Sequence, residues 1–167
     1  MDNTEHREGS ASTVYLRLLE RVADHHGIDI KPLLAEVGID DDASKVADAW
    51  FPRDAIYALW DKLAELNGDP NFGLHVAEAE RGTASTGGVL EYSARNCPNL
   101  AEAFFRVERF ACLVLDGAVY DFTLEHDRGT CRHRVSGFDR HPCHHAAVWA
   151  IANFVLKARE LIDEDFA

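Results

Sequence analysis

The chain has 167 residues, 47% of them apolar and 28% charged, with a net charge of −12. That length supports a single domain with a substantial core. Its 17 Lys and Arg are never adjacent, which argues against binding DNA or RNA through this chain, and no apolar run approaches the ~20 residues of a membrane span.

The N-terminus, "MDNTEHREGSAS", is polar and acidic, with no apolar stretch for a secretory signal. It reads as a flexible arm over residues 1–11, ahead of one domain over 12–167. A first helix is expected from about Ser12 to His26. Val14, Leu18, Leu19 and Val22 recur there at helical spacing, and Gly27 stops it. A short second helix, "IKPLLAEVG", has Pro32 in its first turn and Gly38 past its end. The acidic segment "IDDDASKVADAWF" reads as a loop. A third helix begins near Pro52 and carries Ile56, Leu59, Trp60, Leu63 and Leu66. In "NGDPNFG", Gly68 ends that helix, and Asp69 and Pro70 read as the cap and first position of the next.

"RGTASTGG" is a loop without the Lys or preceding strand that a phosphate-binding loop needs. A helix is expected from about Thr86 to Asn96. Another follows from Asn99, with Glu102 as a capping-box-like partner, and runs through "LAEAFFRVERFACLVL". Leu100, Ala103, Phe104, Val107, Ala111 and Val114 form its apolar stripe. Phe105, Arg109 and Cys112 form a second line.

The period then changes to two. "VYDFTLEH" and "TCRHRVSGF" alternate, which predicts a hairpin over about 118–126 and 130–138. Leu124 opposite Cys131, Phe122 opposite His133 and Tyr120 opposite Val135 would set Asp121 against Arg134 and Thr123 against Arg132. A four-residue loop, His126 to Gly129, would close it. A two-stranded hairpin needs cover, and a long final helix, about 142–163, supplies it. The fold class is therefore α+β: a mostly helical domain with a small antiparallel hairpin under a C-terminal helix.

Cys97, Cys112, Cys131 and Cys143 are scattered, with no CxxC pair, and read as reduced thiols. "FDRHPCHH" raises a metal question, because His141, Cys143 and His145 lie within five residues, with Cys131 or His133 as partners across the hairpin. Pro142 at the first helical position makes His141 the cap. His144 and His145, about 100° apart, then fall on two faces. His144 lines up with Val148, Ile151, Val155 and Ile162, the apolar stripe of the helix, and His145 with Trp149, Ala152 and Leu156. The plain reading is a His-rich helix start whose imidazoles stay neutral against the helix dipole. The alternative is a small metal- or thiol-dependent enzyme centred on His141–His145, with Cys143 as the thiol. No hydrolase elbow or zincin motif supports catalysis.

For a small ligand, Arg109 beside Phe105 could meet an anionic head group while the ring packs its tail. A surface Arg109 paired with Glu108 or Glu102 is the competing reading. Trp60, Tyr92 and Trp149 are large side chains with polar tips that serve as core residues or pocket walls. The candidate ligand residues are thus Trp60, Tyr92, Phe105, Arg109, His145 and Trp149. No cofactor is implied.

Three stretches carry a family resemblance: "YLRLLERVADHHGIDIKPLLAEVGI", "FPRDAIYALWDKLAELNGDPNFGLHVAE" and "GGVLEYSARNCPNLAEAFFRVERF", followed by the hairpin and long helix. From about Thr13 to Phe166 the chain resembles the N-terminal sensor region of AraC-type transcriptional regulators, in the arabinose-binding-like subgroup. "NGDPNFGL" and the "NLAEAF" helix start are its most specific pieces. The resemblance implies a bacterial, cytoplasmic regulator with no enzymatic activity. Its N-terminal half senses a small-molecule effector and forms a homodimer, and a C-terminal helix-turn-helix half binds DNA. Members continue past the point corresponding to Ala167, so the expectation is a chain without its DNA-binding domain. Its hairpin edge would be open to pairing between chains.

Overall fold

The computed structural model describes residues 9–82, 88–126 and 128–162. Its elements run β1 (Ser10–Ser12), α1 (Thr13–His25), α2 (Lys31–Glu36), β2 (Trp50–Pro52), α3 (Arg53–Asn67), α4 (Phe72–Ala79), α5 (Gly88–Arg95), α6 (Leu100–Phe110), β3 (Ala118–Glu125), β4 (Arg128–Val135) and α7 (His144–Ile162). Short 3-10 turns occupy Ala43–Lys45 and Ala111–Leu113. This is the α+β arrangement expected, with α7 as its longest helix.

The helix starts follow local chemistry. The Ser12 hydroxyl accepts from the Val14 amide at 3.3 Å to cap α1. The Asn99 side chain accepts from the Glu102 amide at 2.9 Å to cap α6, and its own amide donates to the Glu102 carboxylate at 3.2 Å. Gly68 ends α3 in the left-handed region, φ 69°. Two starts differ from expectation. Asp69 does not cap α4 directly; it accepts from the Asn71 amide at 2.8 Å in a tight turn, and the helix begins at Phe72. Pro142 lies before α7 rather than in its first turn. Cys143 precedes the helix, and its sulfur takes the Ala146 amide at 3.5 Å as a serine would.

A small sheet absent from the sequence reading ties the N-terminus down. β1 pairs antiparallel with β2, Ala11 opposite Phe51. The other edge of β1 meets the segment before β3: the Ser12 amide donates to Val114 O at 2.8 Å and the Asp116 amide to Ser10 O at 2.9 Å. Ser10 and Ala11, within the expected arm, are therefore buried in β1. Residues 1–8 of that arm lie outside the described residues.

The hairpin register is shifted by two residues from the one expected. Tyr120 faces His133, Phe122 faces Cys131 and Asp121 faces Arg132. A two-residue shift preserves which side chains share a face, so alternation alone could not detect it. The tighter turn decides the matter. Glu125 pairs with Arg128, and His126 sits at φ 55°. Asp121 still reaches Arg134, as a diagonal neighbour at 3.4 Å.

The core joins α1, α2, α3, α4 and the first half of α7 through residues such as Leu16, Leu34, Leu59, Phe72 and Ala146. Aromatic contacts run through it. Phe72 meets Trp60 at 6.1 Å, Trp60 meets Trp149 at 5.8 Å, and Trp149 meets Tyr15 at 5.5 Å. On α7 the buried face is Ala146, Trp149, Ala150 and Ala158. The aliphatic line expected to be innermost, Val148, Ile151 and Val155, is only half-buried, and Ile162 is exposed. Small side chains let neighbouring helices approach closely. At Gly73 on α4, an added Cβ would lie 2.9 Å from the His145 carbonyl carbon. α4 thus rests directly on the backbone of α7.

Candidate ligand-binding site

A cavity of about 130 Å³, partly open to solvent, lies among α1, α5, α6, α7 and the start of β3. The apolar stripe of α6, Ala103, Phe104 and Val107, forms one wall, continued by Ala111 and Val114 in and just after the 3-10 turn that follows it. Opposite it, α7 presents Trp149, Ala150, Asn153, Phe154 and Ala158. Val14, Tyr15 and Leu18 of α1 close a third side, and Tyr120 of β3 a fourth. The space exists because alanines stand where the bulkier aliphatics of a filled core would be.

The aromatic wall is supported from behind. Phe122 stacks on Phe104 at 4.9 Å and packs on Phe154 at 5.0 Å. Phe104 and Phe154 meet at 4.6 Å. Hairpin, α6 and α7 therefore share one hydrophobic contact that fixes the cavity's shape.

Charged groups gather at one end. Arg95 binds Glu91 at 2.9 Å and Glu160 at 3.0 Å. Lys157 lies 3.7 Å from Glu91 and 3.4 Å from Glu160, and donates to Glu80 O at 3.4 Å. Glu80 in turn accepts from Arg21 at 2.9 Å and from the Trp149 indole at 3.3 Å. Burial raises the Glu80 carboxyl above its ordinary value, against the pull of Arg21, Trp149 and Lys157. Three cations and three carboxylates thus pair off.

The residues singled out from the sequence scatter. Trp149 lines the cavity. Trp60 is fully buried behind it, in the core. Tyr92 and Phe105 are 69% and 51% exposed, and Arg109 is exposed with its guanidinium over the Phe110 ring at 5.4 Å. His145 packs against Phe72 at 6.2 Å. The cavity lies on the other face of α6 from Phe105 and Arg109. The lining residues passed over, Tyr15, Ala103, Tyr120, Asn153 and Lys157, left one signal. Asn153 and Lys157 are polar, four residues apart, and Asn153 interrupts the apolar run Ala146–Leu156 of α7.

The histidines and Cys143 do not converge. His141 approaches Tyr57 at 5.5 Å and His133 at 5.2 Å, whereas the Cys143 thiol donates to Asp61 at 3.4 Å. Among the described residues, no three His, Cys, Asp or Glu side chains are placed to hold a metal ion. Burial pushes the Cys143 thiol up to about 12, which disfavours the thiolate a nucleophile requires. The cavity itself combines apolar walls, a few polar groups and an internally neutralised charged rim, the composition of a small-molecule binding site.

No curated protein matches the sequence. Residues 27–167 match the family described as the arabinose-binding domain of AraC transcription regulator, N-term. That span takes in α2 to α7, and with them most of the cavity wall, so the chain belongs to this family of regulator ligand-binding domains.

Proposed function

We propose that this chain is the ligand-sensing and dimerisation domain of a bacterial, cytoplasmic AraC-type transcription regulator. It binds a small-molecule effector without transforming it, and occupancy controls DNA binding by another domain of the regulator. The observation that carries this reading is the half-enclosed apolar cavity within the span that matches the family. The acidic balance of the chain accords with DNA contact being made elsewhere. No helix among the described residues is long and apolar enough to cross a membrane.

The cavity touches α1, α5, α6, α7 and β3 together, so an effector there contacts elements from both halves of the molecule at once. A ligand shifts an equilibrium only by binding one arrangement better than another, and a site bordered by several elements provides that difference. The test is a thermal-shift screen of the chain against a chemically broad metabolite set, because a ligand of the native state alone raises apparent stability. Expected are a saturable stabilisation by at least one compound and its loss in Ala103→Phe, which fills the cavity from α6. A screen in which no compound stabilises the chain, or in which Ala103→Phe responds as the wild type does, contradicts the reading. Sedimentation velocity tests dimerisation separately: a monomer at all concentrations removes that part.

A further inference from the structure

The cavity wall specifies the chemistry of its guest. Five aromatic rings border the space: Tyr15, Phe104, Tyr120, Trp149 and Phe154. Alanines between them, Ala103 and Ala150 on facing helices, leave room for a further ring. An apolar cavity of about 150 Å³ takes up benzene, so about 130 Å³ suits a single ring with few substituents.

The polar groups narrow the choice. Arg95 and Lys157 are already engaged by Glu91 and Glu160. A carboxylate guest would have to compete with the two partly buried carboxylates, Glu91 and Glu160, for the same cations and would approach their negative charge. The Trp149 indole is committed to Glu80. What remains on the wall for hydrogen bonding is neutral: the Tyr15 and Tyr120 hydroxyls and the Asn153 amide. The Asn153 oxygen is buried and has no hydrogen-bond partner. A buried acceptor left open is costly, and a donor from a guest would relieve that cost. A sugar, with a hydroxyl on nearly every carbon, would bring more donors and acceptors than these three side chains can satisfy.

We infer, granted the sensing role proposed above, that the cavity takes a small neutral aromatic molecule bearing one hydroxyl group. Its ring lies against Phe104 and Phe154, and its hydroxyl donates to the Asn153 oxygen.

Three probes of similar size decide the matter by calorimetry on the 167-residue chain at pH 7: p-cresol, its anionic counterpart 4-methylbenzoate, and L-arabinose. Expected is 1:1 binding of p-cresol, at least tenfold tighter than 4-methylbenzoate, with no binding of arabinose. Asn153→Leu should weaken p-cresol at least tenfold while leaving the binding of toluene, which has no hydroxyl, unchanged. The wild-type ranking of the probes stands even if that variant folds poorly. If arabinose or 4-methylbenzoate binds more tightly than p-cresol, and Ala103→Phe abolishes that binding, the neutral-aromatic assignment falls and the sensing role survives. If none of the three binds, the assignment falls as well, and the metabolite screen alone decides the sensing role.

Discussion

His133 has both ring nitrogens buried without partners, 4.5 Å from the Tyr120 ring and 5.2 Å from His141. Burial, reinforced by the neighbouring His141, holds its value down from 6.5 to about 4. A depressed value means that the unfolded chain binds the proton first. His133 therefore adds stability that is complete above pH 6.5 and is lost as the pH falls through about 4. The loss amounts to up to about 3 kcal/mol. Urea titrations at pH 7 and pH 4.5 should show most of that difference, and His133→Phe should flatten it. A second single-residue effect lies at Gly73. Its replacement by Ala puts a methyl group into the His145 carbonyl, where backbone on both sides resists movement. We expect Gly73→Ala to cost about 2–3 kcal/mol in chemical denaturation. Ala at Gly27, which has nothing within 4 Å but a positive φ, should cost less.

At the scale of elements, α6 is the helix whose sequence and role agree best. Its cap and its amphipathic stripe follow from the residues, and the stripe borders the cavity, but the helix stops at Phe110 and gives way to a 3-10 turn instead of running on to Leu115. Asn99→Ala removes the cap and should cost about 1 kcal/mol, measured by the same urea titration. The loss should be accompanied by weaker binding of whatever compound the wild type accepts, because Ala103 and Phe104 sit in the first turns of the helix. Other elements were less legible. β1 and β2 are three residues each, too short for alternation to register, and they are specified by long-range pairing with each other and, for β1, with the Val114–Asp116 segment. The hairpin was visible from its period, yet its register depended on the turn, where a non-glycine residue, His126, adopts positive φ. On α7 hydrophobicity misled. The reading favoured bulky Val148, Ile151 and Val155, whereas close approach to α4 selects alanine for the interior.

For the whole molecule, the same bias toward large side chains explains why the cavity itself was not read from the residues. A hollow is made by what is small, and alanines at positions 103, 111, 118, 150 and 158 look in sequence like ordinary core. Tyr92, Phe105 and Arg109 drew notice for their chemistry, but they lie on outward faces. What was legible was the family, through the motifs around Asn67–Leu74 and Asn99–Phe104, and with it the class of function. The asymmetry of α7 has a mechanical consequence. Its first turn is clamped by the bare backbone contact at Gly73, while from Trp149 onward it borders the cavity, and its later turns apart from Ala158 are only half-buried. A rod gripped at one end through its backbone, and held at the other through the side-chain pairs of Lys157 and Glu160, is expected to swing from the grip. Amide exchange should be slowest near Ala146–Ala150 and faster toward Leu161, and a guest should slow that far portion selectively. Uniform protection along the rod, indifferent to any guest, would mean that filling the hollow moves nothing.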